Sequence, residues 1–417
     1  MTKRRRLNFI FLRDPQETVS KLIWSAVAAW DTFIRNSHGV FKSPLSQLLQ
    51  LFPRMEFEQA VRDHRAEYHA RGFTSWGQFV AMLFCQLGRA HTLREICGGL
   101  ASCEGKLKHL GVPDAPKKST LAYANEHRPW GLYETVFQQL LGKCHAAVAG
   151  REQKKKFRFK NKLTSLDLSV IDLSLSLFNW AHFRRTKGAI KLHLLLDHDG
   201  YLPSFAVITT GKTSDIKVAR KMRFDPGGVL IMDRGYIDYE WFVQLTQQAV
   251  YFVTRLKDKA SFEVVQERPI PAKGNIQKDQ IIFFHSQAEP SEEYFFRLVE
   301  VWLEEKKESV VFRTNNLEFG ATTIAAIYKD RWQVELFFKA LKQNPKIKTF
   351  LGTSANAVKT QIWTALIAML ILRYLQLRST FAWSLSNLIA LLRHQLFVYR
   401  DLFTWRAIRR PASTGWS

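Results

Sequence analysis

The chain has 417 residues, of which 46% are hydrophobic and 24% charged, so it is long enough for two or three globular domains and is not a disordered chain. Lys and Arg number 61 against 37 Asp and Glu, a formal net charge of +24. Such a charge repels itself unless a polyanion neutralises it, which points to nucleic acid as the partner, a merely basic soluble protein being the alternative. Four cysteines exclude a disulfide scaffold and suit a reducing cytoplasm.

The start, MTKRRRLNFIFLRD, reads as a basic arm rather than a secretory signal, because Arg13 and Asp14 cut its apolar segment short. Leu22 to Ile34 is interrupted by Asp31, and the apolar run Ile362 to Leu372 ends at Arg373, well short of the roughly 20 residues a membrane span needs. No membrane partner is expected. Residues 1 to about 150 read as helical, with periodicity in SPLSQLLQLF, where Ser43 is a cap and Pro44 sits in the first turn, then in WGQFVAMLFCQL. TLREICGGL follows with a Gly-containing break, then a helix opening at Ser119 in KKSTLAYANEHRPW. These pieces suit a helix-turn-helix that reads DNA, and equally an ordinary helical domain.

Arg151 to Lys162 is a charge-dense connector. Strands are predicted at Leu163–Leu177, Ile190–Asp197, Leu202–Thr209, Gly228–Met232 and Tyr251–Leu256, with a helix at Ile237–Gln247: an α/β pattern. Residues 258–320 carry further strand segments between Pro, Gly and charged turns, and helices return from about Thr322.

Candidate chemistry sits on carboxylates. Asp233 ends the apolar run GGVLIMD, where ligands of open α/β sheets gather, although an acid opening a surface turn is also common there. Asp167 lies inside LTSLDLSVIDL, opposite Leu166, Leu168 and Val170, where an ionised carboxylate calls for a cation; Asp172 falls on the other face and is the weaker candidate. Thr322 to Pro345 reads as one helix, stopped by Asn344 and Pro345. On it Tyr328, Arg331, Glu335 and Lys342 share an arc of about 60° beside the apolar stripe Ile327, Val334, Phe338 and Leu341. Salt bridging such as Arg331 with Glu335 explains these charges without function. His91, Cys97, Cys103 and His109 recur every six residues, a spacing that matches no usual zinc knuckle.

The spacing Y-x2-R-x3-E-x6-K at Tyr328, Arg331, Glu335 and Lys342 resembles the YREK signature of bacterial DDE transposases of the insertion-sequence-four group. Asp167 in SLDLSVIDL and Asp233 in MDRGY are similar to that group's two other acidic motifs, FRRTKGAIKLHLLLDHDGYLPS has its look, and the likeness runs from about residue 40 to 400. The group's first motif usually reads D-S-T, whereas Leu168 and Ser169 follow Asp167 here.

The resemblance implies a ribonuclease H-like catalytic domain formed by 151–257 and 321–380 with a β-rich insertion at 258–320. A helical DNA-binding region at 1–150 and a C-terminal helical tail at 381–417 complete the expected organisation. It implies Asp167, Asp233 and Glu335 as catalytic metal ligands for Mg²⁺, with Mn²⁺ able to substitute, and Tyr328, Arg331 and Lys342 as DNA phosphate contacts. The partners implied are double-stranded DNA, as element ends and target, and a second copy of the chain in a homodimer on DNA, in the bacterial cytoplasm at the nucleoid. Some relatives flip a base against an aromatic, a role open to Trp302, whose alternative is core packing. Two other functions compete: a catalytically decayed transposase acting as a repressor, and an unrelated metal-dependent nuclease.

Overall fold

The structure, a computed structural model, describes residues 42–68, 70–103, 105–149, 156–184, 187–256, 262–283, 294–343, 349–379, 383–398 and 402. The basic arm, the stretch Leu22 to Ile34, the helix stop at Asn344 and Pro345, and most of the tail lie outside the described residues.

Local chemistry starts the helices. Ser43 accepts from the Ser46 amide at the head of α1 (Pro44–Leu49), α2 (Arg54–Asp63) follows, and Thr74 caps α3 (Ser75–Gly88). At α4 (Leu93–Ala101) Thr92 accepts from the Glu95 amide at 3.1 Å while Glu95 accepts from the His91 amide at 2.8 Å, a reciprocal cap. Gly98 and Gly99 do not break this helix. They lie inside it, and a Cβ on Gly99 would come within 2.9 Å of the Phe84 ring, so the small residue serves packing rather than a turn. A 3₁₀ turn (Leu107–Leu110) leads to α5 (Lys118–His127) and α6 (Gly131–Ala149). Ser119 is not the cap of α5: the helix opens two residues earlier than a Ser119 cap requires, with Lys117 in the cap position and no side-chain cap.

The second half is built on one ten-stranded mixed sheet. Strands β1 (Leu163–Leu173), β2 (His182–Arg184), β3 (Lys187–Asp197) and β4 (Leu202–Thr210) pair antiparallel, β3 taking β1 along one side and β2 and β4 as its other partners. After α7 (Asp215–Ala219), β5 (Val229–Met232) joins β1 in parallel, and β6 (Tyr251–Arg255), reached through α8 (Tyr239–Gln247), joins β5 in parallel. Strands β7 (Glu263–Glu267), β8 (Ile276–Phe283), β9 (Phe295–Leu303) and β10 (Glu308–Thr314) come from the expected insertion. They continue the same sheet, because β10 pairs antiparallel with β6.

Every residue of β5 is buried, and its two faces meet different helices. Val229 and Ile231 pack with Ile324 and Ile327 of α9 (Ala321–Asp330), while Leu230 and Met232 pack with Trp241 and Phe242 of α8. The expected single helix from Thr322 is two, α9 and α10 (Trp332–Gln343). At the junction the Arg331 amide bonds the Tyr328 carbonyl at 3.1 Å and the Val334 amide bonds the Arg331 carbonyl at 3.0 Å, a tight i→i−3 pattern in place of the α-helical one.

The chain ends with α11 (Ala355–Arg378) and α12 (Leu385–Gln395). Helix α11 is long and apolar enough to cross a membrane, yet 83% of its most apolar window is buried within the protein. Its apolar run extends past Arg373 to Leu375, and it is the central helix of the main core. That core joins Leu45 and Phe79 of the N-terminal helices, Leu192 and Leu194 of β3, Trp363 and Leu366 of α11, and Leu388 and Leu392 of α12. Packing therefore crosses residues 150 and 380 without a seam.

Candidate active site

Two acids meet because of strand register. Leu166 of β1 pairs in parallel with Met232 of β5, so the next residues, Asp167 and Asp233, stand side by side on neighbouring strands roughly 4.8 Å apart. Side chains alternate along a strand, and Leu166 and Met232 both enter the core under α8, so the two acids project toward α9 and α10. Asp233 is still extended, with φ −78° and ψ 163°, and marks the carboxyl end of β5.

The α9–α10 junction brings the rest. Arg331 Nη1 lies 3.3 Å from Asp167 Oδ2, and Nη2 donates to Glu335, one turn into α10. Asp167 also accepts from the Leu168 amide at 2.8 Å. Lys342 Nζ reaches the Val170 carbonyl of β1 at 3.4 Å. Tyr328 packs on Phe312 with ring centroids 4.7 Å apart, and the Arg331 guanidinium lies 5.5 Å from its ring centre. Arg331 and Lys342 thus reach β1 directly, Glu335 joins it through Arg331, and Tyr328, on the far side of the helix break, lies against β10. The predicted apolar stripe, Ile327, Val334, Phe338 and Leu341, is buried.

The electrostatics are those of a negative hollow. Burial, partly offset by the Leu168 amide and Arg331 and reinforced by Asp233 and Glu335, pushes the Asp167 carboxyl up to about 6. Burial pulls Arg331 the other way, but Tyr328, Asp167 and Glu335 outweigh it and raise its pKa. The Tyr328 phenol is pushed up to about 12, chiefly by burial. Among the described residues no three His, Cys, Asp or Glu side chains stand close enough to hold a metal ion, and the guanidinium fills the gap between Asp167 and Glu335. The donor set still suits a hard divalent cation: three carboxylates, one of them partly buried and raised in pKa, which a nearby positive charge would favour in its ionised form.

Elsewhere, Asp172 is exposed on the opposite face of β1, and Trp302 is half-buried in β9. His91 and His109 are exposed, Cys97 and Cys103 are half-buried, and no disulfide joins the four cysteines. The sequence reading missed Ser165, His198, Asp330 and Lys156: the first three form a buried chain beside the acids, Ser165 Oγ to His198 Nε2 at 2.7 Å and His198 Nδ1 to Asp330 at 2.6 Å, and the exposed Lys156 bonds Asp330 from outside. The only local signal was a histidine immediately after a strand, at the head of the turn His198–Tyr201.

Comparison with known proteins finds transposases. The Transposase DDE domain family matches residues 176–371, a span that includes Asp233, Tyr328, Arg331, Glu335 and Lys342 and begins after Asp167. A Domain of unknown function (DUF4372) matches residues 41–113. A protein of Sinorhizobium fredii named as transposase y4zB is 30% identical over 322 residues, covering 76% of this chain and 87% of that one. A Geobacillus stearothermophilus protein named as the transposase for insertion sequence element IS5377 is 26% identical over 261 residues, 62% of this chain and 67% of its own. A piggyBac transposase synaptic complex with hairpin DNA aligns over 91% of this chain and 84% of its own at 10% identity, with a TM-score of only 0.44.

The protein is a DDE transposase, an enzyme that cuts and rejoins DNA, and DDE transposases work with divalent metal ions. Within that class the chain belongs to the transposases of bacterial insertion sequences of the insertion-sequence-four type.

Proposed function

We propose that this transposase binds the terminal repeats of its own element, hydrolyses the phosphodiester bond at each end and joins the freed 3′ ends to target DNA. The observation that carries the site assignment is the register Leu166 to Met232, which sets Asp167 beside Asp233 where Arg331 and Glu335 converge. The strand order supports a ribonuclease H-like reading, with β1 central, antiparallel strands on one side and two parallel ones on the other. In this reading 151–257 and 321–380 form the catalytic part and 258–320 lengthens its sheet.

Asp167, Asp233 and Glu335 would hold Mg²⁺, or Mn²⁺ in its place, as oxygen donors. When bound, the metal would supply Lewis-acid activation of the attacking water or 3′-hydroxyl and neutralise charge at phosphorus. The chain's own residues do the positioning. The Arg331 fork, now spent on two carboxylates, has the geometry for a bidentate phosphate contact, with Lys342 as a point charge along β1 and Tyr328 beneath the guanidinium. Residues 1–150 would select the end sequence, and the exposed Lys117, Lys118, Ser119 and Tyr123 of α5 support that assignment. Two ends are joined at once, which favours a homodimer assembled on DNA at the nucleoid. The complete acidic and YREK set favours an active enzyme over a decayed repressor.

The test is to find the inverted repeats flanking the coding region and incubate the purified protein with duplexes carrying them. Mg²⁺-dependent nicks at the repeat boundary followed by strand transfer are expected. Binding without cleavage in either metal would favour the repressor, and cleavage without transfer a nuclease.

A further inference from the structure

We propose that His198 is a positioning residue that clamps the Asp330–Arg331 junction onto β1, and so holds Arg331 and Glu335 against Asp167; the proposal rests on the site assignment above. Its basis is a side-chain chain closed at both ends. Ser165 Oγ lies 2.7 Å from His198 Nε2, and His198 Nδ1 lies 2.6 Å from Asp330 Oδ2, with Lys156 on the other Asp330 oxygen. The His198 side chain is 6% exposed and that of Asp330 is 2% exposed. A neutral ring donates from Nδ1 to the carboxylate and accepts the Ser165 hydroxyl at Nε2, which gives both buried ring nitrogens a partner.

The order Ser–His–Asp is that of a hydrolase triad, but Ser165 is fully buried in a strand paired on both sides, so no substrate reaches it. Its value is mechanical. Ser165 and Asp167 lie on one face of β1, about 6.6 Å apart. Two consecutive residues of the helix junction are bonded to them: Asp330 to Ser165 through His198, and Arg331 to Asp167 directly.

The two tethers differ in what catalysis asks of them. Arg331 must release Asp167 and Glu335 when the carboxylates take a cation and the guanidinium takes a phosphate. The His198 tether touches neither acid, so it keeps the junction seated while Arg331 changes partner. The turn that aims His198 is built for close packing: Gly200 has φ +80°, and a Cβ there would meet Val148 at 2.6 Å.

The experiment compares full-length wild type with His198→Ala, His198→Asn and Ser165→Ala. It reads amide exchange over 328–335 without metal, Mn²⁺ affinity by electron paramagnetic resonance, and kcat and KM on an end duplex. Asn can still donate to Asp330, so it should restore most of what Ala removes. We expect faster exchange at the junction in His198→Ala and Ser165→Ala and Mn²⁺ binding weakened by about 10–100-fold. The loss on DNA should fall in kcat, with KM near wild type. Wild-type Mn²⁺ affinity and exchange in both His198→Ala and Ser165→Ala, or a His198→Asn variant no better than His198→Ala, overturns the clamp. Should His198→Ala not fold, Ser165→Ala, which deletes one oxygen, decides alone. A wild type that binds Mn²⁺ yet never cuts DNA sinks the cleavage reading only, because exchange and Mn²⁺ affinity still judge the clamp.

Discussion

The Arg331 guanidinium sits 3.3 Å from the Asp167 carboxylate and also bonds Glu335, so one cation joins two acids that the transposase reading assigns to metal. Without metal, the fold keeps its negative hollow neutralised from within. In that reading, metal and phosphate would have to draw this cation away from the two acids.

Removing charge while keeping shape isolates the acids. Asp167→Asn, Asp233→Asn and Glu335→Gln should each reduce end cleavage by more than the ~100-fold that loss of an outer partner costs, while end binding in a gel-shift assay persists. Near-normal cleavage by any one of them removes that residue from the site.

Asp167 also predicts a pH dependence of stability. Its carboxyl titrates near 6 in the fold against 3.8 for an unperturbed group, so its contribution is fully present below about pH 4 and is lost as pH rises through 6. The loss is on the order of 2–3 kcal/mol. Asn carries no such penalty. In EDTA, urea denaturation should find Asp167→Asn more stable than wild type at pH 8, the two converging toward pH 4. A variant that is weaker at pH 8 contradicts this.

Phosphate contacts predict a different signature. Arg331→Ala and Lys342→Ala should weaken binding to element ends and to random duplex alike, leaving the preference between them unchanged. The +24 charge predicts a steep fall of log affinity with log salt, by roughly 0.9 per neutralised phosphate. Lys342→Ala should make that slope shallower by about one contact; an unchanged slope means Lys342 does not touch DNA.

The shared core predicts how the chain fails. A protein starting at residue 151 would uncover the faces of α11 now covered by α3, α5 and α6, so it should aggregate rather than fold as a catalytic fragment. Trp363→Ala should destabilise the whole described fold by about 3–5 kcal/mol in a single transition. A soluble, folded 151–417 fragment would show that the helices are a separable body.

The sequence by itself determined what neighbours decide. Strand-like runs marked β1, β3 and β4, the apolar run of β5 ended at Asp233, Ser43 announced α1, and the spacing from Tyr328 to Lys342 named four residues of one helical face. Such signals are local because side-chain direction repeats every 2 or 3.6 residues. Tertiary structure decided the rest. The helix predicted from Thr322 breaks at Arg331, where Asp330 is drawn to His198 and Arg331 to Asp167. Strands of 258–320 become part of one sheet only because β10 finds β6. Ser165, His198 and Asp330 meet across separations of 33 and 132 residues, which no periodicity encodes. Register and packing set those distances, and they follow from how whole strands and helices fit together rather than from any residue's neighbours.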